Sequence, residues 1–408
     1  MNMLPRPSGV AVIPPIYSAI PCLALVILGS MPTAEFSDRS RLSERVHRAL
    51  SSVQDPELRR PLADLGMLRD VTVTDDGRVS VTVKLTVEGC PMKSRIARDV
   101  EAAARTVDGV SDVDVTLDVM SPQERAELVG SLKRTGSPLT KPDTLTRIIA
   151  VASGKGGVGK SAVTVNLAAA LAAEGYKVGV IDADVLGFSI PSLMGVSDKP
   201  TRVDDLILPP VAHGVKVMSI GMFLDSNQPV MWRGPMLHRA LEQFVNEVHF
   251  GDLDFLLLDL PPGTGDVAIS VGQLLPHAGV LVVTTPQAAA AEVAERAGAM
   301  AHQVGQKVLG VVENMSFMRM PDGSVSHIFG SGGGELVAQH LSEQVGYPVE
   351  VRAQIPLEEK LRIGSDEGTP VVLSSESSEA ADALRALARE LASAPRGLAG
   401  KPLGVTPR

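Results

Sequence analysis

One glycine-rich run in this 408-residue chain has the composition and spacing of a phosphate-binding loop. Its residues are Gly154, Lys155, Gly156, Gly157, Val158, Gly159, Lys160 and Ser161, which fit the pattern G-x-x-x-x-G-K-[ST]. An apolar run precedes the loop and an alanine-rich helical segment follows it, so backbone N–H groups at the start of the helix can surround phosphate oxygens. We expect Lys160 to reach the β- and γ-phosphates of ATP and the hydroxyl of Ser161 to bind Mg²⁺.

Three aspartates follow two other apolar runs. Asp182 and Asp184 come at the end of VGVIDAD, and Asp259 ends FLLLD. Ligands of open parallel sheets bind at the carboxyl ends of the strands, so these carboxylates are candidate site residues. Gly263 and Gly265 follow Asp259 and could wrap a γ-phosphate. Each aspartate could instead cap a strand end, an alternative that is stronger for Asp182 than for Asp259, because a carboxylate after four apolar residues is costly to bury.

The elements that must position these residues are short, continuous apolar runs separated by alanine-rich helical segments. The runs are IIAVAS, VGVIDAD, FLLLDL, GVLVVTT and VLGVVEN. Continuous apolar strands are typical of a parallel sheet that is buried on both faces. The sequence therefore predicts an α/β protein in which residues 146–392 form a doubly wound, mostly parallel sheet.

A smaller α/β domain is predicted for residues 37–120. Leu42, Val46 and Leu50 repeat at helical spacing, and the alternating segment around Asp76-Gly77 predicts a β-hairpin. Residues 121–145 are charged and polar, which predicts a linker with a possible short helix. Residues 393–408 are rich in proline and glycine and predict a disordered tail.

The first 33 residues contain the most apolar stretch of the chain, and we leave them out of the fold. Pro14, Pro15 and Pro21 would break a membrane helix. Three interpretations stay open: a start of translation at Met31 instead of Met1, an unstructured extension, or a targeting segment. We favour the first of these and expect a cytoplasmic protein.

Composition excludes several classes of protein. A hydrophobic content of 44% with 21% charged residues excludes wholesale disorder, and the net charge of −9 argues against a protein that coats nucleic acid. The only cysteines are Cys22 and Cys90, so the chain is not a disulfide scaffold. Two cysteines also cannot hold a four-thiolate cluster within one chain.

The motifs occur in an order that resembles Mrp/ApbC-type iron–sulfur cluster carrier ATPases. They are SGKGGVGKS, IDADVLGFSIPSLMG, MWRGPM, LLLDLPPGTGD, GVVENMS, FGSGGG and IPLEEKLRIGSDEGTPV. The second lysine of the loop, Lys155, resembles the deviant loop of the MinD-like group. The segments DPELRRPLADLGML and LTVEGCP resemble the small PaaD/SufT-like domain of iron–sulfur assembly. Together these resemblances cover most of residues 40–392.

The resemblance implies a slow ATPase that works as a homodimer and hands iron–sulfur clusters to apoproteins or assembly factors. In such a protein Lys155 would reach the partner's nucleotide, Asp184 would position or activate the attacking water, and Asp259 would hold Mg²⁺ through its shell. Asn314 and the segment around Pro356 would lie near the adenine. Trp232 would lie near the dimer face, although packing in a core is equally compatible with a lone tryptophan.

The chain departs from that family at its cluster-binding motif. Well-studied members have a C-x-x-C shortly after E-N-M-S, whereas here ENMSFMRMPDGSVSHIFG contains no cysteine. Met318 and Met320 are thioethers, which suit Cu(I) better than iron clusters, and His327 alone does not make a site. Cys90, in its Gly-Cys-Pro setting, is the remaining candidate for contact with a 4Fe-4S cluster. A buried, inert cysteine is the alternative.

Two further functions compete with cluster carriage. One is a nucleotide-gated adaptor that no longer binds a cluster. The other is an organising ATPase of the MinD or ParA kind, which would need a C-terminal amphipathic helix or a basic DNA-binding surface. The tail and the acidic balance favour neither of those, so we expect no stable association with membranes and none with nucleic acid.

Overall fold

The computed structural model describes residues 38–135, 139–141, 144–185, 187–223 and 234–394. Residues 38–135, called the small domain below, contain a three-stranded sheet in which β1 and β2 are antiparallel and β2 and β3 are parallel. The apolar faces of its helices cover this sheet, and Leu42, Val46 and Leu50 are buried as their spacing predicts. Its elements are α1 (Asp38–Ser51), β1 (Leu68–Val73), β2 (Arg78–Leu85), α2 (Lys93–Arg105), β3 (Asp112–Val119) and α3 (Pro122–Thr135).

Helix α3 corrects the prediction for residues 121–145. The sequence predicts a linker with a possible short helix, but Pro122–Thr135 is a helix of 14 residues. Its Leu128, Val129 and Leu132 are buried in the core of the small domain. The polar composition of the segment misled the prediction, because three apolar residues at helical spacing are enough to hold one face of a helix on a core.

Residues 144–394, called the large domain below, contain an eight-stranded sheet. Its strand order is β15-β12-β11-β4-β10-β5-β9-β8, and every neighbouring pair is parallel except β8 with β9. The strands of this domain are β4 (Arg147–Ser153), β5 (Val178–Asp182), β6 (Thr201–Val203), β7 (Leu206–Leu208), β8 (Val211–Ala212), β9 (Val215–Ser219), β10 (Phe255–Asp259), β11 (Gly279–Thr284), β12 (Lys307–Asn314), β13 (Met318–Arg319), β14 (Val325–Ser326) and β15 (Val351–Ile355).

Helices cover both faces of the large sheet. Along β4, Ile148 and Ala150 point into one apolar core and Ile149 and Val151 into the other. This alternation confirms the predicted doubly wound fold, since a strand covered on one face only would carry polar residues on the other. The helices are α4 (Lys160–Ala173), α5 (Ile190–Leu193), α6 (Gly234–Glu247), α7 (Asp266–Leu274), α8 (Ala288–Gln303), α9 (Gly333–Val345), α10 (Glu359–Asp366) and α11 (Glu379–Ser393), with 3-10 helices at Ile220–Phe223 and Val371–Leu373.

A hairpin of the large domain packs into the core of the small domain. Strands β6 and β7 form this hairpin, and its Val203, Leu206 and Leu208 are buried in the apolar cluster of the small domain. At its base the hydroxyl of Thr201 donates a hydrogen bond of 2.9 Å to Glu57 Oε1, and both residues are buried. The two domains therefore share one apolar core as well as a chain connection.

Several predictions lie outside the described residues. They concern the extension at residues 1–33, Cys22, Trp232 and the tail beyond residue 394. Among the residues that are described, no helix is both long enough and apolar enough to cross a membrane.

Candidate functional site

The phosphate-binding loop connects β4 to α4, as its flanking sequence predicts. A Cβ atom on Gly154 would lie 2.1 Å from the backbone of Val293, and one on Gly159 would lie 2.2 Å from Asn314 Nδ2. Gly159 also has a φ of 79°, in the left-handed region that favours glycine. Glycine is thus required at both ends of the loop, so that the loop can lie against α8 and β12 and turn its N–H groups toward a phosphate.

The buried side chains at the start of α4 converge on one carboxylate. Lys160 Nζ lies 2.7 Å from Asp259 Oδ2, with the lysine side chain 6% exposed and the aspartate fully buried. The hydroxyl of Ser161 donates a hydrogen bond of 2.6 Å to the same oxygen. The buried charge of Lys160 is therefore balanced by Asp259, which avoids the large cost of an unpaired buried ion.

Sequence reasoning missed Thr164, which binds the other oxygen of this carboxylate. Its hydroxyl lies 2.9 Å from Asp259 Oδ1 and 3.0 Å from the backbone carbonyl oxygen of Lys160. The spacing in the sequence could have indicated this contact, because Thr164 follows Lys160 by four residues and so lies on the same face of α4. Asp259 is consequently fixed in orientation by contacts with three residues of one helix.

Asp182 and Asp184 have different environments despite their closeness in sequence. Asp182 is fully buried, and its carboxylate accepts hydrogen bonds from Ser219 Oγ and from the backbone N–H groups of Asp184, Ser189 and Ile190, at 3.1 to 3.3 Å. Burial, and next the neighbouring Asp259, raise the pKa of Asp182 to about 7. Asp182 thus anchors the segment after β5, which agrees with its alternative role as a strand-end cap.

Asp184, unlike the fully buried Asp182, lines a cavity beside the loop. It is half-buried, and its Oδ1 accepts a hydrogen bond of 2.9 Å from the backbone N–H of Gly187. Asp184 lines a cavity of about 240 Å³ together with Lys155, Lys160, Ser161 and the rest of the loop. Lys155 is exposed at the rim of this cavity. The structure therefore brings the predicted loop residues and Asp184 to one cavity.

The Ser161 hydroxyl in this cavity and the Asp259 carboxylate behind it fit Mg²⁺. A serine hydroxyl and a carboxylate that share a hydrogen bond offer the oxygen ligands that Mg²⁺ prefers, with room for phosphate oxygens and water in the remaining positions. Gly263 lies next to the loop, because its N–H donates a hydrogen bond of 2.8 Å to Ser153 O, and Gly265 immediately precedes α7.

Asn314 lies behind the loop at the end of β12. Its Nδ2 donates a hydrogen bond of 2.9 Å to Val158 O, and its buried Oδ1 has no hydrogen-bond partner among the described residues. Pro356 directly follows Ile355, the residue of β15 that pairs with Asn314. The two residues predicted to lie near adenine are therefore neighbours, and one of them has a free acceptor.

Comparisons with known proteins agree with this arrangement. A family model described as the NUBPL iron-transfer P-loop NTPase matches residues 144–392. The chain belongs to this iron-transfer P-loop NTPase family. A second model, described as an iron-sulfur cluster assembly protein, matches residues 43–117 in the small domain. Both resemblances inferred from the motifs are thereby confirmed.

Curated relatives extend the match over nearly the whole chain. An iron-sulfur cluster carrier protein of Mycobacterium bovis is 55% identical over 370 residues, which cover 90% of this chain and 97% of the relative. One of Synechocystis sp. is 41% identical over 361 residues, covering 86% of this chain and 97% of the relative. A solved nucleotide-binding protein in complex with ADP from Archaeoglobus fulgidus has 38% identity and a TM-score of 0.48, and covers 57% of this chain and 90% of that one.

For a member of the iron-transfer family, Cys90 has an unexpected environment. Its thiol is buried, with 4% of the residue exposed. Burial, with smaller contributions from Glu57 and Asp55, raises the pKa of the Cys90 thiol to about 11. A thiolate is the form that binds metals, so a thiol held protonated inside the small domain is not poised as a ligand.

The segment that follows E-N-M-S also lacks a set of metal ligands. Residues 318–326 form a two-stranded hairpin, in which Arg319 forms an ion pair with Glu379 of α11. His327 Nδ1 lies 3.2 Å from Ser316 O, and the thioether residue Met320 is 39% exposed. Among the residues that the structure describes, no group of three or more His, Cys, Asp or Glu side chains could hold a metal ion.

Proposed function

We propose that this protein binds and hydrolyses Mg²⁺–ATP as a homodimer and uses that cycle to serve the transfer of iron–sulfur clusters to apoproteins. The observation that carries the ATPase part is the Lys160–Asp259–Ser161 cluster beside a cavity that Asp184 and Lys155 also line. Family membership supports the iron–sulfur part, as do relatives that carry the cluster-carrier name over 97% of their length.

Nucleotide binding would change the partner of Lys160. In the structure its ammonium is held by Asp259. We propose that phosphate oxygens take over this ammonium, which leaves the Asp259 carboxylate and the Ser161 hydroxyl to hold Mg²⁺ directly or through water. The metal would neutralise phosphate charge, which is the main requirement of phosphoryl transfer. Thr164 keeps Asp259 oriented throughout, because its hydrogen bond goes to the other oxygen.

We propose that Asp184 acts on the attacking water. It lines the cavity, its Oδ1 is held by Gly187, and its position next to the anchored Asp182 limits its movement. A carboxylate fixed in this way can orient a water molecule in line with the γ-phosphate. We propose that Lys155, exposed at the rim, completes the site by reaching the nucleotide of the second protomer.

The test of this proposal compares two lysine variants with an exposed control. Lys160→Ala should lower ATP hydrolysis by at least about 10²-fold, because the transferred phosphate loses a fixed positive charge. Lys155→Ala should retain nucleotide binding by one protomer but slow hydrolysis and weaken ATP-dependent dimerisation. Lys307→Ala, at an exposed lysine outside the cavity, should behave as wild type. ATP hydrolysis at the wild-type rate by Lys160→Ala would refute the ATPase assignment.

A second candidate function is a nucleotide-gated adaptor that binds client proteins without holding a cluster. It is favoured by the buried Cys90 and by the absence of a ligand set among the described residues. Anaerobic reconstitution with iron and sulfide separates the two functions. Cluster carriage through Cys90 predicts that wild type binds iron and sulfide and that Cys90→Ala loses them. Equal binding by both proteins excludes Cys90, and the absence of a cluster in both favours the adaptor.

A further inference from the structure

A cavity of about 640 Å³ lies between the two domains, at the opposite edge of the large sheet from the nucleotide site. The phosphate-binding loop follows the carboxyl end of β4, whereas this cavity includes Val178, the first residue of β5. The facing wall comes from the small domain and consists of Gln54, Leu58, Arg59 and Arg60. The volume is in the range of cavities that bind small molecules.

The lining of this cavity is strongly basic. Arg59, Arg60, Lys177 and Lys216 contribute four cations, and Asp252 is the single acidic residue that lines it among those described. The excess is notable in a chain of net charge −9. Two carboxylates lie behind the wall, but both are already engaged. Asp55 accepts backbone N–H groups at 2.7 and 2.9 Å, and Glu57 accepts the Thr201 hydroxyl.

Two of these cations have hydrogen-bond donors that the described residues do not use. Arg60 Nη1 is buried and has no partner among them. Lys216 is 3% exposed, and its ammonium makes one hydrogen bond, of 3.2 Å, to His249 O. Among the described residues, no carboxylate lies within ion-pair distance of either side chain. Buried donors without acceptors are destabilising, so their presence in a cavity wall indicates that a ligand supplies the acceptor.

The polar atoms of this wall also converge. A Cβ atom on Gly251 would lie 3.7 Å from His249 Nε2 and 4.0 Å from Lys216 Nζ. Both nitrogen atoms therefore lie close to Gly251, which has no side chain to separate them. Burial lowers the pKa of Lys216 to about 8 and that of His249 to about 4. The imidazole is therefore neutral at pH 7 and can donate one hydrogen bond. Asp55 and Glu57 favour the charged form of Lys216 from beyond ion-pair distance, and an anion in the cavity would add to their effect.

We propose that this cavity binds a small anion that carries at least two phosphate or carboxylate groups. Two groups are needed because Arg60 lies on one wall and Lys177 and Lys216 on the other. Phosphates and carboxylates match the planar donor pattern of arginine and accept from lysine as well. The bound anion would connect the small domain to the large domain, at a site separate from the ATP site.

The test uses pyrophosphate and citrate as probes in isothermal titration calorimetry. The starting protein is the full chain with Lys160→Ala, which weakens binding of pyrophosphate at the nucleotide loop. We expect Lys177→Gln and Arg60→Gln, each added to this background, to weaken binding of the probe about 10-fold, the loss of one charge-assisted contact. Lys307→Gln is the matched control, because Lys307 is exposed and also lies at the amino end of a strand of this sheet.

The results of these titrations identify the class of ligand, and some of them would overturn the proposal. Binding of pyrophosphate alone assigns the site to phosphates, and binding of citrate alone assigns it to carboxylates. Binding that is equally strong in the Lys177→Gln, Arg60→Gln and Lys307→Gln proteins would overturn the proposal, as would the absence of binding by both probes at millimolar concentration. Because Lys177 is exposed, Lys177→Gln tests the site without disturbing a core.

Discussion

The nucleotide site and the surroundings of Cys90 both bury ionisable groups. The first pairs a buried cation with a buried anion, whereas burial in the second favours neutral forms. At the nucleotide site the side chains of Lys160 and Asp259 are both buried and form an ion pair, with Nζ and Oδ2 2.7 Å apart. Around Cys90, burial raises the pKa of both the thiol and the Glu57 carboxyl, which favours their neutral forms. The first region is organised to receive a charged ligand, whereas the second is closed.

The largest effect should come from breaking the charge balance of the nucleotide site. Asp259→Asn leaves Lys160 buried without a counter-charge and removes the proposed magnesium ligand. We expect a loss of ATP hydrolysis of about 10²-fold or more, and a decrease in the free energy of unfolding of about 3 kcal/mol. Hydrolysis assays and denaturant titrations measure the two effects. Thr164→Val is the control, because it removes one hydrogen bond and should cost only about 1 kcal/mol.

A smaller, pH-dependent effect should come from Glu57. Its pKa is raised from 4.5 to about 7 in the folded protein, chiefly by burial. The folded state therefore binds more protons than the unfolded state between these values, and the contribution of Glu57 to stability is complete below pH 4.5 and lost as the pH rises to 7. Glu57→Gln cannot ionise and should be more stable than wild type above pH 7 by about 3 kcal/mol.

Denaturant titrations of both proteins from pH 4 to pH 8 check this expectation. Asp182 and His249 titrate in the same range, but they are present in both proteins, so their contributions cancel in the difference. A stability difference that does not change with pH would show that Glu57 is not desolvated in the folded protein.

The smallest effect concerns the accessibility of the Cys90 thiol to reagents. Alkylation of Cys90 by iodoacetamide at pH 8 should be about 10²-fold slower in the native protein than in denaturant, because both the access and the thiolate fraction are low. Thr201→Val removes the hydrogen bond to Glu57, should cost about 1 kcal/mol, and should accelerate the alkylation. Mass spectrometry of the Cys90 peptide separates this signal from Cys22. Equally fast alkylation of native and denatured protein would mean that the region is open.

That the loop and Asp184 lie at one cavity could be predicted from the sequence, because the signals are local. The loop, its strand and its helix are contiguous, and the aspartates end continuous apolar runs, so topology alone brings them to one edge of the sheet. The different environments of Asp182 and Asp184 could not be predicted, since Ser219 and the backbone of residues 189 and 190 decide which carboxylate is anchored.

The surroundings of Cys90 depend on contacts between distant parts of the chain. Thr201 meets Glu57 across 144 positions, and the segment that contains Thr201 has no pattern that predicts its partner. Helix α3 was underestimated for a related reason, because its three buried residues are surrounded by charged ones. Local composition predicts which segments are apolar, whereas burial of a single thiol depends on which segments meet.

The β6–β7 hairpin has a consequence for how this protein can be divided. The ranges matched by the two family models suggest that the chain could be divided between residues 135 and 144. However, Val203, Leu206 and Leu208 of the large domain lie in the apolar core of the small domain. A fragment that ends at residue 135 would lack the β6–β7 hairpin and would have an apolar cavity in its core. Complementation by a synthetic peptide spanning residues 199–210 should then restore its stability, so the module recognised by sequence is smaller than the unit that folds.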